Sequence, residues 1–303
     1  MKTTRFGIFC LILVFSGLKY SLAHEFNTEA AFENYFFFES GRYENQESTY
    51  PSAAIQPEYY HLFENGLSVT TILFGRYDFV DSQRSHVDVR ELMFNCPSDD
   101  FEINFGIGKI FWGATEFYHL VDIINQTDLV ESNDGEEKLG QPMLHFSTTP
   151  DLGNFDFFVL PYFRERTFPG RNGRLRSELV VDTDNAVYES NADQYHLDFA
   201  LRYSNTFGDV DLGAYYFNGT NRTPKLVEET KVNADHVLIP HYDQIQQFGT
   251  DIQLVSGRWL LKYEGIYQYG GEQDYFAFTG GLEYTFQAIF NTHMDLGVIG
   301  EYA

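Results

Sequence analysis

The sequence predicts an all-β fold, specifically an antiparallel transmembrane β-barrel. Three observations predict it: period-two alternation in the strand candidates, connections that alternate short and long, and an aromatic-rich composition with a polar mean. The chain carries 30 Phe and 21 Tyr, and aromatics make up 17% of it. Its mean hydropathy is nevertheless −0.31. A barrel reconciles the two, because one strand face meets lipid, the other meets water, and aromatic girdles mark the interfaces.

Adjacent side chains on a strand point to opposite faces. In 195–204, Tyr195, Leu197, Phe199, Leu201 and Tyr203 alternate with His196, Asp198, Ala200, Arg202 and Ser204. In 209–216, Val210, Leu212, Ala214 and Tyr216 alternate with Asp209, Asp211, Gly213 and Tyr215. Trp259, Leu261, Tyr263, Tyr267 and Tyr269 oppose Lys262, Glu264 and Gln268, and Phe276, Phe278, Leu282, Tyr284 and Phe286 oppose Tyr275, Thr279, Glu283 and Thr285. A soluble β-sandwich also alternates. It accounts less well for full charges on one face and aromatics on the other.

The pattern predicts strands over 28–41, 57–63, 67–78, 86–95, 101–112, 141–149, 154–163, 192–205, 209–217, 241–255, 258–269, 272–286 and 292–303. Short turns then fall at 64–66, 97–100, 151–154, 207–208, 256–257 and 288–291, and the other side receives 42–56, 79–85, 113–140, 164–191, 218–240 and 270–271. Outer-membrane barrels have short periplasmic turns and longer external loops. One assignment places the long loops together. The weakest strands are 57–63, which is short, and 86–95, where Glu91 shares a face with Val87 and Val89 unless a bulge re-aims it. Thirteen strands are an odd number, and bacterial single-chain barrels use even ones. The expectation is therefore at least fourteen strands, with C-terminal strand sequence missing after Ala303.

The N-terminus sets the compartment. Lys2 and Arg5 precede an apolar run from Phe6 to Leu18, and Ser21-Leu22-Ala23 supplies small residues before His24. Residues 1–23 are read as a signal peptide and 24–303 as the barrel. The run is too short for a membrane anchor. Only Cys96 remains after cleavage, so no disulfide scaffold is available. A net charge of −24 argues against nucleic acid as a partner, since phosphate binding needs a basic face. The expected partners are outer-membrane lipid, lipopolysaccharide, the barrel-insertion machinery and a small solute. The expected location is the outer membrane of a Gram-negative cell.

Gly108-Lys109-Ile110-Phe111-Trp112-Gly113 with Thr115-Glu116, His119 to Glu131, Lys138 to Pro142, and Leu160 to Arg176 give a resemblance. Weaker echoes are Gly249 to Gln253, Glu283 to Phe286 and Asp295 to Tyr302. The chain resembles a family of largely uncharacterised, porin-like outer-membrane proteins of proteobacteria. The resemblance implies barrel fold and location more than activity, and it implies a chain continuing past residue 303.

Two loops are candidates for function. Phe117, Leu120, Val121 and Ile124 recur at helical spacing, so 116–126 reads as a short amphipathic helix. Such a helix either folds into the lumen, where Asp122, Asn125, Gln126 and Asp128 meet a solute, or packs on the barrel wall. The second candidate is the arginine cluster Arg164, Arg166, Arg171, Arg174 and Arg176. Rings of arginine select anions in pores, whereas pairing with Glu165 and Glu178 or contact with lipopolysaccharide phosphates is the plainer reading. The strand lumen is mixed in charge, with Asp198, Arg202, Asp211, Asp251, Lys262, Glu264, Glu283 and Asp295.

Other chemistry finds little support. Asn133-Asp134-Gly135 lacks the ligands ahead of it that a calcium loop needs. His24-Glu25 has no second His, Gly106-x-Gly108-Lys109 lacks a P-loop's first glycine, and no G-x-S-x-G occurs. His86, His119, His145, His196 and His241 leave a lipid-modifying hydrolase open as a third choice. The leading expectation is a porin-like channel or exporter for small hydrophilic, in one reading anionic, solutes, without catalytic residues, metal or cofactor. The runner-up is a non-conducting surface or envelope-assembly barrel.

Overall fold

The structure is a computed structural model and describes residues 8–16, 24–231 and 236–303. The chain forms strands β1 (Ile8–Ser16), β2 (His24–Phe37), β3 (Thr49–Leu62), β4 (Ser68–Asp78), β5 (His86–Pro97), β6 (Phe101–Gly108), β7 (Gln141–Thr148) and β8 (Asn154–Leu160). Then follow β9 (Val180–Val181), β10 (Val187–Tyr188), β11 (Asp198–Phe207), β12 (Val210–Thr220), β13 (Lys225–Thr230) and β14 (His236–Tyr242). The last are β15 (Gln244–Ser256), β16 (Trp259–Gly270), β17 (Tyr275–Phe286) and β18 (Leu296–Tyr302). One 14-stranded sheet runs β1-β2-β3-β4-β5-β6-β7-β8-β11-β12-β15-β16-β17-β18. Each neighbour pair is antiparallel, and β1 and β18 are not paired with each other, so the sheet is not closed.

Every strand expected from the alternation is present, most with ends moved by a few residues. The largest change is β3, which starts at Thr49. Its partner ladder with β4 skips residues 56 and 57, between Ile55↔Gly75 and Glu58↔Ile72. Pro57 brings no N–H to that ladder, which is why the sequence around it reads as short. The register of β4 against β5 shifts between Ile72 and Leu73, where Ile72 pairs Glu91 and Leu73 pairs Val89. The extra residue, Arg90, turns Glu91 off the face of Val87 and Val89, as a bulge does. Residues 8–16, inside the expected signal peptide, run as an edge strand against β2. The expected cleavage region, 17–23, lies outside the described residues.

The two faces differ. One is bare and apolar: Leu197, Phe199, Leu201, Phe248, Leu261 and Phe278 are all exposed. A sandwich would bury them against a second sheet, so the sandwich reading fails. The other face carries Asp88, Arg90, Asp198, Asp251, Lys262 and Glu264, all buried. Arg164, Arg222 and Arg202 meet Asp88, Asp198 and Asp251, while the loop from 109 to 140 meets Arg90, Lys262 and Glu264. Its Glu116 and Phe117 amides meet Glu301 of β18, and its Glu131 meets Arg76 of β4. In a flat sheet those strands would stand ten spacings apart, ~48 Å. The turned segment between 116 and 131 reaches both, so the sheet is rolled around it, with the apolar face outward. The fold is that of an antiparallel transmembrane barrel.

The long connections gather at one end, as expected, but they are not plain loops. β13 and β14 form a hairpin, and β9 and β10 add to β14 in parallel. The alternation predicts a loop over 218–240, although Leu226-Val227 and Val237-Leu238-Ile239 are short apolar runs with the β-branched Val and Ile that mark strands.

A charge on the bare face is expected to be costly only in a bilayer. Leu201→Arg, near the middle of β11, is expected to lower refolding stability in lipid vesicles by ~2–4 kcal/mol. The neighbouring Asn205→Arg, near the turn end of β11, should cost ~1 kcal/mol or less. Equal losses at the two positions would argue against a lipid-facing Leu201.

Candidate functional site

The site is built by the 109–140 segment. Glu264 on β16 is fully buried. A buried carboxylate needs several donors, and the loop supplies them. Glu264 Oε1 accepts from the Ala114 amide at 2.7 Å, the Thr115 amide at 2.9 Å and Thr115 Oγ1 at 2.7 Å. Its Oε2 accepts from the Val121 amide at 3.2 Å. Next to it, Lys262 donates to Glu116.

Apolar packing completes this side. Trp112 lies against Phe158 and Tyr215, and the Arg202 guanidinium is 5.0 Å from its ring centroid. Val121 and Ile124 join Phe217, Ile245 and Ile266 in one buried cluster. Gly249, paired with Tyr215, leaves the space in which the tyrosine ring lies, because a Cβ there would come within 2.1 Å of the ring.

On the far side the segment is held by ion pairs. Asp128 Oδ2 accepts from Arg90 at 2.7 Å, and Oδ1 accepts from Thr167 Oγ1 at 2.7 Å. His86 Nε2 stands 3.5 Å from Asp128. Glu131 takes Arg76, which also binds Glu33 at 2.8 Å, and Arg84 joins Glu33 to Asp78. Burial by itself would raise the Asp128 carboxyl. The nearby His86 imidazole, the hydrogen bond from Thr167 and the charge of Arg90 outweigh it and hold the carboxyl at about 2.

The expected helix over 116–126 is not formed: the stretch is a series of turns and bends. Its amides are taken by Glu264 and Glu301, and its Ile124 carbonyl by Arg222 Nε at 3.2 Å. Partners outside the segment thus replace the ladder a helix would need. The expectation that Asp122, Asn125, Gln126 and Asp128 meet a solute is corrected in part. Asn125 is spent on the Gly108 and Leu139 carbonyls, and Gln126 and Asp128 are buried. Asp122 lies at a cavity wall but is paired with Lys138 at 3.1 Å.

The arginine cluster also disperses. Arg164 pairs Asp88 at 2.7 Å. Arg174 donates to the Glu39 and Ser40 carbonyls and covers Phe37. Arg176 donates to the carbonyls of Arg171, Ser177 and Glu178. Arg166 alone among these arginines lines the cavity described below. The pairing expected through Glu165 is replaced, since Glu165 takes Tyr188 and Gln194 instead.

Of the strand set, Asp198 pairs Arg222 at 2.8 Å and Arg202 pairs Asp251 at 2.9 Å. Asp211 is exposed near a turn and accepts from Thr206. Glu283 is half-buried beside Gly297, and Asp295 caps the last turn by accepting from the Ala288 amide. Sequence reasoning missed Glu33, Arg76, Arg84, Asp88, Arg90, Glu131 and Arg222. A signal was present: Arg76 with Asp78, and Asp88 with Arg90, are charges two apart on strands, hence on one face. Among the histidines, His145 stands 2.8 Å from Asp156 and stacks on Phe158, with Asn104 at its other ring nitrogen.

Between the segment and β15–β17 lies a cavity of about 720 Å³ at the long-loop end. A second recess of about 210 Å³ lies against β2–β5, lined by Glu33, Arg76, Arg90 and Glu131 among others.

No protein-family model matches the sequence, and no curated protein matches it. Among solved structures, the chain is similar to OmpT (in-vitro folded), an outer membrane protein of Vibrio cholerae (trimer form), at 12% identity and a TM-score of 0.46, covering 96% of this chain and 76% of that one. It is also similar to Pseudomonas putida OprB in its high pH structure, at 9% identity and a TM-score of 0.44, covering 93% and 74%. These likenesses are too distant to bear on what the chain binds or passes.

Two outcomes follow from the ion pairs. Asp128→Ala leaves Arg90 with Asp88 at 3.5 Å as its remaining carboxylate and is expected to cost ~1.5–3 kcal/mol in a denaturation series, the scale of a lost charged hydrogen bond. The depressed Asp128 carboxyl adds stability in full above its ordinary value of 3.8. That contribution is lost as pH falls through about 2. Proteolysis within 113–140 should therefore stay slow at pH 5, and reopening of the loop by hydrogen exchange should rise only between about pH 4 and 2.

Proposed function

We propose that the chain is a porin-like protein of the Gram-negative outer membrane whose passage is narrowed by the 109–140 segment, and that it admits small hydrophilic solutes. The observation that carries this reading is the inward segment itself: it leaves an open polar cavity at the long-loop end and a second charged recess on the other side. A wide barrel leaves an aqueous path and a loop can constrict it. On this reading residues 1–23 act as a cleaved leader, the bare face meets lipid and lipopolysaccharide, and insertion uses the cell's barrel-assembly machinery. The chain is then a member of the proteobacterial porin-like family that its 108–131 stretch resembles, and it acts without catalysis.

A specific observation favours the second reading, a non-conducting barrel. The cluster of Trp112, Val121, Ile124, Phe217 and Ile266 is apolar and buried, and a plug of that kind closes a lumen.

Planar-bilayer recording separates the two. Discrete ion-permeable steps are expected from the unmodified protein. Glu264→Ala removes the acceptor for four loop donors and is expected to enlarge the steps as the segment loosens. Silence from both proteins, where a known porin conducts, would favour the closed barrel.

A further inference from the structure

The cavity at the long-loop end holds four cationic side chains, and three are neutralised. Lys138 pairs Asp122, Arg222 pairs Asp198, and Lys225 pairs Glu272. Arg166 has no carboxylate partner among the described residues. It is fixed by neutral groups: its Nε donates to Gln126 Oε1 at 3.2 Å and its Nη2 to Thr223 Oγ1 at 3.2 Å. Its own amide donates to the Tyr242 hydroxyl at 3.1 Å. A guanidinium has five N–H donors. These two bonds use the Nε/Nη2 edge and leave the Nη1/Nη2 end, which takes a carboxylate in a fork. Burial lowers the Arg166 pKa, with only the Tyr242 and Tyr118 hydroxyls opposing that shift; the guanidinium is thus held by neutral groups and has no carboxylate in contact with it among the described residues.

We infer that Arg166 is the anchor of a binding site for a small hydroxylated monocarboxylate at the external mouth of the barrel. The cavity's remaining acids, Asp134, Glu136 and Asp243, select for one negative group and against a multiply charged anion. Asn221, Gln247 and Gln268 line the same space with neutral amides that suit hydroxyls. The site deepens the solute-passage reading, because it names the class of solute the mouth would collect. It also stands as a binding site without conduction.

Calorimetric titration of the full-length protein in detergent tests it, with gluconate, glucose 6-phosphate and glucose as probes. Gluconate is expected to saturate, glucose 6-phosphate to bind more weakly, and glucose to give no saturable heat. Arg166→Gln should weaken gluconate about tenfold or more, the scale of a lost charged hydrogen-bonded contact. Arg174→Gln, which lies outside the cavity, should leave binding unchanged. If Arg166→Gln does not fold, Thr223→Asp supplies an internal carboxylate beside an intact Arg166 and should abolish binding. Unchanged gluconate binding in Arg166→Gln or in Thr223→Asp overturns the site, as does no gluconate binding or equal binding of glucose. Equal or tighter binding of glucose 6-phosphate overturns the monocarboxylate preference. Because the readout is binding in detergent, a silent bilayer with saturable gluconate would overturn conduction alone, and conduction without binding would overturn the site alone.

Discussion

The structure turns on how buried charges on the inner face of the sheet are satisfied. Glu264, Arg90 and Arg76 lie on strands whose opposite face is apolar. Without partners each would carry a desolvation cost of several kcal/mol. The 109–140 segment answers that demand at both ends, giving backbone amides to Glu264 and carboxylates to Arg90 and Arg76. The same contacts fix the segment inside the rolled sheet. Folding of the loop and burial of the strand charges are one event, and neither arrangement is favourable alone.

That coupling explains why irregular backbone can be packed so deeply. Buried backbone polar groups must find partners. Here Glu264 and Glu301 take amides, while Arg222, Arg90 and Arg84 take the carbonyls of Ile124, Lys138 and Val130. The apolar cluster around Trp112 then adds packing that excludes water from these bonds and strengthens them. The result is an interior divided by a fixed partition, with an open cavity on one side and a charged recess on the other. In such an interior a solute's route, or its absence, is decided by how firmly Glu264 and Asp128 hold the partition.

Much of the sheet is legible in the sequence, because a strand with one face in lipid and the other on charge must alternate. Leu197, Phe199 and Leu201 against Asp198, Ala200 and Arg202 is the clearest case, and the structure puts those two sets on opposite faces. The Glu91 anomaly was legible as a bulge but not its position. The 116–126 stretch was misread, since Phe117, Leu120, Val121 and Ile124 fit a helical spacing while the Phe117 and Val121 amides are claimed by carboxylates more than a hundred residues away. Local periodicity holds no record of such partners. The dispersal of the arginine cluster has the same cause: Asp88, the partner of Arg164, comes from a distant strand.

The central claim, that the sheet is rolled with the 109–140 segment inside and lipid outside, can be tested with the two tryptophans of the chain. Trp112 is buried within the inner cluster and Trp259 stands on the bare face of β16. Single-tryptophan proteins made by Trp259→Phe and Trp112→Phe, reconstituted with lipids brominated near the headgroup end of the acyl chain, report which ring touches lipid. Strong quenching of Trp259 and little or none of Trp112 is the predicted result. Quenching of Trp112 as strong as that of Trp259 would place the segment against lipid and contradict the account.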